Sequence, residues 1–172
     1  MVPIPNPRKQ AALGVVLLLT AGCGGGAGAQ KARVVEGDGF SFRAPAAWKV
    51  QRNGSDLQVG QGTDLVSVTR YPLLRRFRAE QWAKVVTELD HAAAALARQQ
   101  SGAVADVKTL TVAGQQARRY DVLYERDGKK LTERITFLLR EKTEYLLLCR
   151  YERGASTDVC DRLLSSFALA AA

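Results

Sequence analysis

The chain has 172 residues, with 25 Lys+Arg against 17 Asp+Glu, a net charge of +8 and one histidine. Its hydrophobic content of 47% and charged content of 24% are ordinary globular values, and the length suits one domain with a substantial core. A single histidine argues against Ser-His-Asp, Cys-His and His-metal schemes together.

Arg8 and Lys9 make a positive start, residues 11–19 form a short apolar run, and the small residues Ala21 and Gly22 precede Cys23. That order of features is a secretory signal. The run is too short to span a bilayer, which takes roughly 20 apolar residues. Leu19-Thr20-Ala21-Gly22-Cys23 resembles the lipobox of bacterial lipoproteins, although Leu19 stands one place further from the cysteine than in the commonest pattern and Thr20 fills the usual leucine position. The resemblance implies that residues 1–22 are removed and that Cys23 carries a diacylglycerol, anchoring the protein to a bacterial membrane on its extracytoplasmic side. Losing Arg8 and Lys9 with the signal leaves a net charge of +6. Residues 23–37, opening on Gly24-Gly25-Gly26, are expected to be a flexible tether, followed by one globular domain over 38–169 and a tail at 170–172.

Phe40-Ser41-Phe42-Arg43 alternates as a half-buried strand that Pro45 ends. A second extended piece begins at Trp48, and Asn53-Gly54 marks a turn. Leu57-Gln58-Val59 and residues 65–69 read as strands. The period then changes: Trp82, Val85, Val86, Leu89, Ala93 and Leu96 predict an amphipathic helix over 79–99, with His91 on its polar side and Gly102 as terminator. Strands over 107–112, 117–125, 131–140 and 145–151 complete a meander, with Asp127-Gly128 as a hairpin signal. Leu146 and Leu148 alternate with Tyr145, Leu147 and Cys149, so the last strand is apolar on both faces and expected to be central. Ser156 is a candidate N-cap for a closing helix whose inward stripe is Cys160, Leu163, Leu164 and Phe167. The pattern describes an α+β fold, an antiparallel sheet with helices packed on its faces.

With Cys23 lipidated, Cys149 and Cys160 remain, and outside the cytoplasm two such cysteines are expected to pair; two buried free thiols are the alternative.

Three local patterns then line up. Phe42-x-x-Pro45-x-x-Trp48 opens the domain, Val112-x-Gly114-x-x-Ala117-x-x-Tyr120 joins two strands after the long helix, and Ser166-Phe167 ends the closing helix. In this order the chain resembles the PsbP-like α/β/α sandwich superfamily, which includes the photosystem II extrinsic protein and a nuclear-import Ran-binding factor, and within it the small bacterial lipoproteins. The resemblance covers about residues 38–169 and implies a non-catalytic binding or assembly role. It carries over no ligand site, because the matching residues are structural ones.

No catalytic residue, cofactor or metal site is expected. GxSxG, P-loop and GxGxxG motifs are missing from the sequence, and Asp158 with Asp161 reads as helix-start acids. An exported chain does not meet nucleic acid, so its positive balance is read as solubility or as attraction to anionic lipid headgroups. The segment 70–78 mixes Arg70, Arg75, Arg76 and Arg78 with Leu73, Leu74 and Phe77, a binding loop for an acidic partner or a lipid surface unless its apolar residues fold inward. Arg118-Arg119 with Lys129-Lys130 is a weaker basic group. The expected function is a membrane-anchored envelope module that binds an envelope protein partner; the alternative is a carrier of an apolar ligand between sheet and helix, and the third reading is a hydrolase.

Overall fold

The computed structural model describes residues 31–170, so the signal, Cys23 and most of the Gly-rich stretch lie outside the described residues. The first strand, β1 (Ala32–Gly37), falls inside the segment expected to be tether. Only Val35 of β1 is buried, which is why alternation did not reveal it; the strand is held by its antiparallel ladder to β2 (Phe40–Pro45). Three more strands follow: β3 (Lys49–Asn53), β4 (Asp56–Gln61) and β5 (Asp64–Pro72). A single 3-10 turn, Ala79–Gln81, leads into α1 (Trp82–Gln99). The meander comprises β6 (Ala103–Val112), β7 (Gln115–Arg126), β8 (Lys129–Arg140) and β9 (Thr143–Glu152), longer at most ends than the alternation indicates. The chain closes with α2 (Asp158–Ser166) and the two-residue β10 (Ala168–Leu169).

Seven strands form one antiparallel sheet in the order β3-β4-β5-β9-β8-β7-β6. Strand β9 is its centre, as its two apolar faces require. The two-residue period sends Tyr120, Val122 and Tyr124 of β7 to one face together with Leu131, Ile135, Phe137 and Leu139 of β8. Helix α1 covers that face with Leu89, Ala93 and Ala97. Ala97 lies outside the expected stripe, yet it is buried four residues on from Ala93, where a methyl group lets the helix lie close to the sheet.

The opposite face carries Val66, Val68, Leu138, Leu147 and Cys149. Here the structure adds a layer that the sequence pattern did not show. Strands β1, β2 and β10 form a separate three-stranded sheet, and with α2 it covers this face through Phe40, Phe42, Ala44, Leu163 and Phe167. Cys149 and Cys160 are disulfide-bonded, with Cα atoms 5.4 Å apart, tying β9 to α2.

Turn chemistry explains the ends of these elements. Asp127 and Gly128 both have positive φ, 53° and 73°, the mirror-type turn that matches strand twist in a two-residue hairpin. After α1 the left-handed residue is Ser101 (φ 53°) and not the expected Gly102. Gly102 is needed for a different reason: a Cβ there would lie 2.4 Å from the Leu123 carbonyl oxygen. Thr157 is the N-cap of α2, one residue later than expected; Ser156 Oγ still accepts from the Asp158 N–H at 3.1 Å.

One acid is held in an unfavourable place. Glu144 stands on the α1 face, in register with Tyr71 and Leu139, and burial pushes its carboxyl above the ordinary range. A raised acid favours the folded state while protonated, and that contribution is lost as pH climbs from the unfolded value of 4.5 through the higher folded one. Glu144→Gln is therefore expected to leave the melting temperature unchanged near pH 3.5 and to raise it at pH 7. Equal shifts at both pH values would show that the carboxyl is not desolvated.

Candidate functional site

The segment 70–78 leaves the end of β5, crosses the β8–β9 turn and enters α1. Its backbone is pinned at two points. The Leu73 N–H donates to the Lys142 carbonyl at 2.8 Å, and the Phe77 N–H donates to the Glu141 carbonyl at 2.6 Å. At both points the side chain turns inward. Leu73 and Phe77 are half-buried against the α1-side core, and the Phe77 ring meets Trp82 edge-on at 6.3 Å.

Between these pins the chain points outward. Leu74 is fully exposed, at 101% of its reference area, while Arg75, Arg76 and Arg78 are exposed around it. Arg76 reaches Glu141 at 3.6 Å with both side chains largely in solvent, a pair worth about 0–1 kcal/mol. Arg75 and Arg78 have no carboxylate partner among the described residues. The sequence offered two outcomes for the apolar residues, all outward or all inward, and the structure divides them. Two anchors fold in and one leucine stays out, a geometry that presents an apolar tip inside a basic rim.

Arg70 leaves this group. It belongs to β5, its side chain is 28% exposed, it pairs with Asp38 of the β1–β2 turn, and its guanidinium lies 6.0 Å from the Tyr145 ring centre. The second basic group also disperses. Arg118 binds Asp90 through Nε (3.1 Å) and Nη2 (3.2 Å), Arg119 binds Asp106 at 2.7 Å, and Lys129 pairs with Glu152 at 3.4 Å. These charges are already occupied in holding elements together.

Asp90 is the residue that sequence reasoning missed. It lies on α1 beside the exposed His91 and accepts from the Tyr120 hydroxyl at 2.5 Å as well as from Arg118. Partial burial would raise its carboxyl, but the hydrogen bonds from Tyr120 and Arg118 outweigh it and hold the group below the usual range. Burial, followed by the bond to Asp90, pushes the Tyr120 phenol up. A second tie holds the C-terminal end of the helix, where its C-cap Gln100 donates to buried Glu133 at 3.0 Å. Both ties dock α1 on the sheet. Asp161, expected as a helix-start acid, also meets Arg134 at 3.1 Å.

The overall fold, an antiparallel sheet with helices packed against it, is similar to that of solved structures. Cyanobacterial PsbP (CyanoP) from Synechocystis superposes with a TM-score of 0.61 over 87% of this chain and 98% of its own, at 13% identity. The fold is PsbP-like. LpqN of Mycobacterium tuberculosis, described as involved in cell envelope biogenesis, matches the same PsbP-like fold with a TM-score of 0.50 over 82% of this chain and 91% of its own, at 12% identity. A protein from Bacteroides thetaiotaomicron matches with a TM-score of 0.57 at 10% identity over 82% of this chain; the match spans 48% of that longer chain. No family model and no curated protein matches the sequence itself. Among the described residues no helix is long and apolar enough to cross a membrane.

Proposed function

We propose that the protein is a membrane-tethered, non-catalytic binding module of the cell envelope, and that the 70–78 loop is the surface by which it contacts another envelope component. The carrying observation is the exposed Leu74 on a doubly pinned loop beside Arg75, Arg76 and Arg78. Apolar side chains within a basic, solvent-accessible rim suit an acidic protein surface. The expected lipid on Cys23 would keep that surface near the membrane. LpqN, with the same fold, is described as acting in envelope biogenesis, which supports an envelope setting. The carrier reading finds less support, because Leu89, Ala93 and Ala97 pack directly on Tyr120, Val122 and Phe137 where an apolar ligand was expected.

A photocrosslinking residue at position 74, with one at exposed Val50 as control, tests this reading in intact cells. Position 74 is expected to give a protein adduct that position 50 does not. Arg75→Glu with Arg76→Glu should cut its yield by about tenfold, the loss of roughly 1.4 kcal/mol. Exposed substitutions of this kind leave stability within about 0.5 kcal/mol, so a folding defect would not explain the loss. Equal adducts from both positions, or a yield indifferent to the arginines, would sink the proposal.

A further inference from the structure

Four connections meet at one pole of the molecule: the β1–β2 turn, the β3–β4 turn, the end of β5 and the β8–β9 turn. They enclose a cleft of about 440 Å3. Its apolar lining includes Phe40 and Leu57, both buried, together with Tyr71 and Pro72. Three cations open into it: Arg52 from β3, Arg70 from β5 and Lys142 from the β8–β9 turn.

The two carboxylates there do not neutralise these cations equally. Asp56 is engaged through both oxygens, accepting from Thr69 at 2.8 Å and from Gln58. Asp38 sits at the rim, 95% exposed, and meets Arg70 from the solvent side. Arg70 Nε is buried and has no hydrogen-bond partner. Lys142 is exposed and makes no ion pair among the described residues. Arg52 donates one N–H to the Glu36 carbonyl at 2.6 Å and keeps further donors free.

We propose that this cleft binds a phosphate group bearing an apolar substituent, with Asp38 standing in for the phosphate on Arg70 until the ligand displaces it. An exposed ion pair contributes little, so Asp38 is readily exchanged. A phosphate gains charge-assisted hydrogen bonds from two guanidinium groups and a point charge from Lys142. Its substituent lies over Phe40, Leu57 and Pro72. The phosphate could be a lipid headgroup or a free ester, and the chemistry of recognition is common to both. The inference does not depend on the loop reading, because Arg75 and Arg76 lie outside the cleft.

Titration calorimetry on the full chain in a non-ionic detergent, with phenyl phosphate, a short-chain phosphatidic acid and inorganic phosphate as probes, tests it. Saturable one-to-one binding is expected for at least one of the two substituted phosphates, with inorganic phosphate weaker because it leaves the apolar lining unused. Binding of both substituted probes identifies a free ester as sufficient; binding of phosphatidic acid alone identifies a lipid headgroup. Lys142→Glu and Arg52→Gln should each weaken binding about tenfold, whereas Asp38→Asn should tighten it a few-fold by removing the internal competitor. Arg75→Glu with Arg76→Glu should leave the affinity unchanged, which separates this result from failure of the loop. Absence of saturable binding for every probe, or affinities indifferent to Asp38, Arg52 and Lys142, would overturn the proposal.

Discussion

Phe42→Ala is expected to lower the unfolding free energy by about 4 kcal/mol. Phe42 is 1% exposed and lies where the small sheet meets the main one. Its ring stacks on Phe40 at 6.3 Å, and Phe40 in turn meets Tyr145 at 6.1 Å and Phe167 at 5.9 Å. Truncation removes buried apolar surface and leaves a cavity between two sheets that cannot collapse independently. A domain of this size has roughly 5–15 kcal/mol of stability in all, so the variant stands near the threshold of folding. Phe42→Leu, which keeps most of the volume, should cost less than half as much. Urea unfolding of the two variants measures the difference; equal midpoints would mean that the aromatic layer is not a packed core.

Removing the disulfide is the second large effect. Cys149→Ala with Cys160→Ala is expected to cost about 3 kcal/mol, the chain entropy of a loop closed across a separation of 11 residues. The melting temperature should fall by about 10 °C. Both cysteines are buried, at 3% and 1% exposure, so reductant should reach the bridge only when α2 lifts from β9. Thermal melts of the oxidised protein, the reduced protein and the double variant are expected to place the last two together, well below the first. A double variant that melts with the oxidised protein would mean that packing of Leu163 and Phe167 seats α2 without the bridge.

The two effects differ in how they could be foreseen. Phe42 was legible as core because Phe40 and Phe42 alternate with Ser41 and Arg43 ahead of Pro45, a local pattern that puts both rings on one face. The partner of Cys149 was legible because lipidation of Cys23 would leave only Cys160, on the inward stripe of the closing helix. By contrast, nothing in the local pattern singles out Asp90 on α1. Its partners, Arg118 and Tyr120, are 28 and 30 residues away, and only the docking of the helix brings them within reach. The same applies to Leu74: no sequence period says which of Leu73, Leu74 and Phe77 turns outward, because hydrogen bonds to the β8–β9 turn decide it.

By itself the sequence determined the α+β class, the positions of the long helix and the meander, the central place of β9 and the disulfide, because period, turn residues and cysteine arithmetic act over short distances. Tertiary structure alone decided that the stretch after the glycines supplies a strand, that a second sheet covers one face, and that Asp38, Arg52, Arg70 and Lys142 line one cleft. Those features depend on which chain ends are brought to the same pole, and antiparallel pairing between distant strands determines that, with no local signal to announce it.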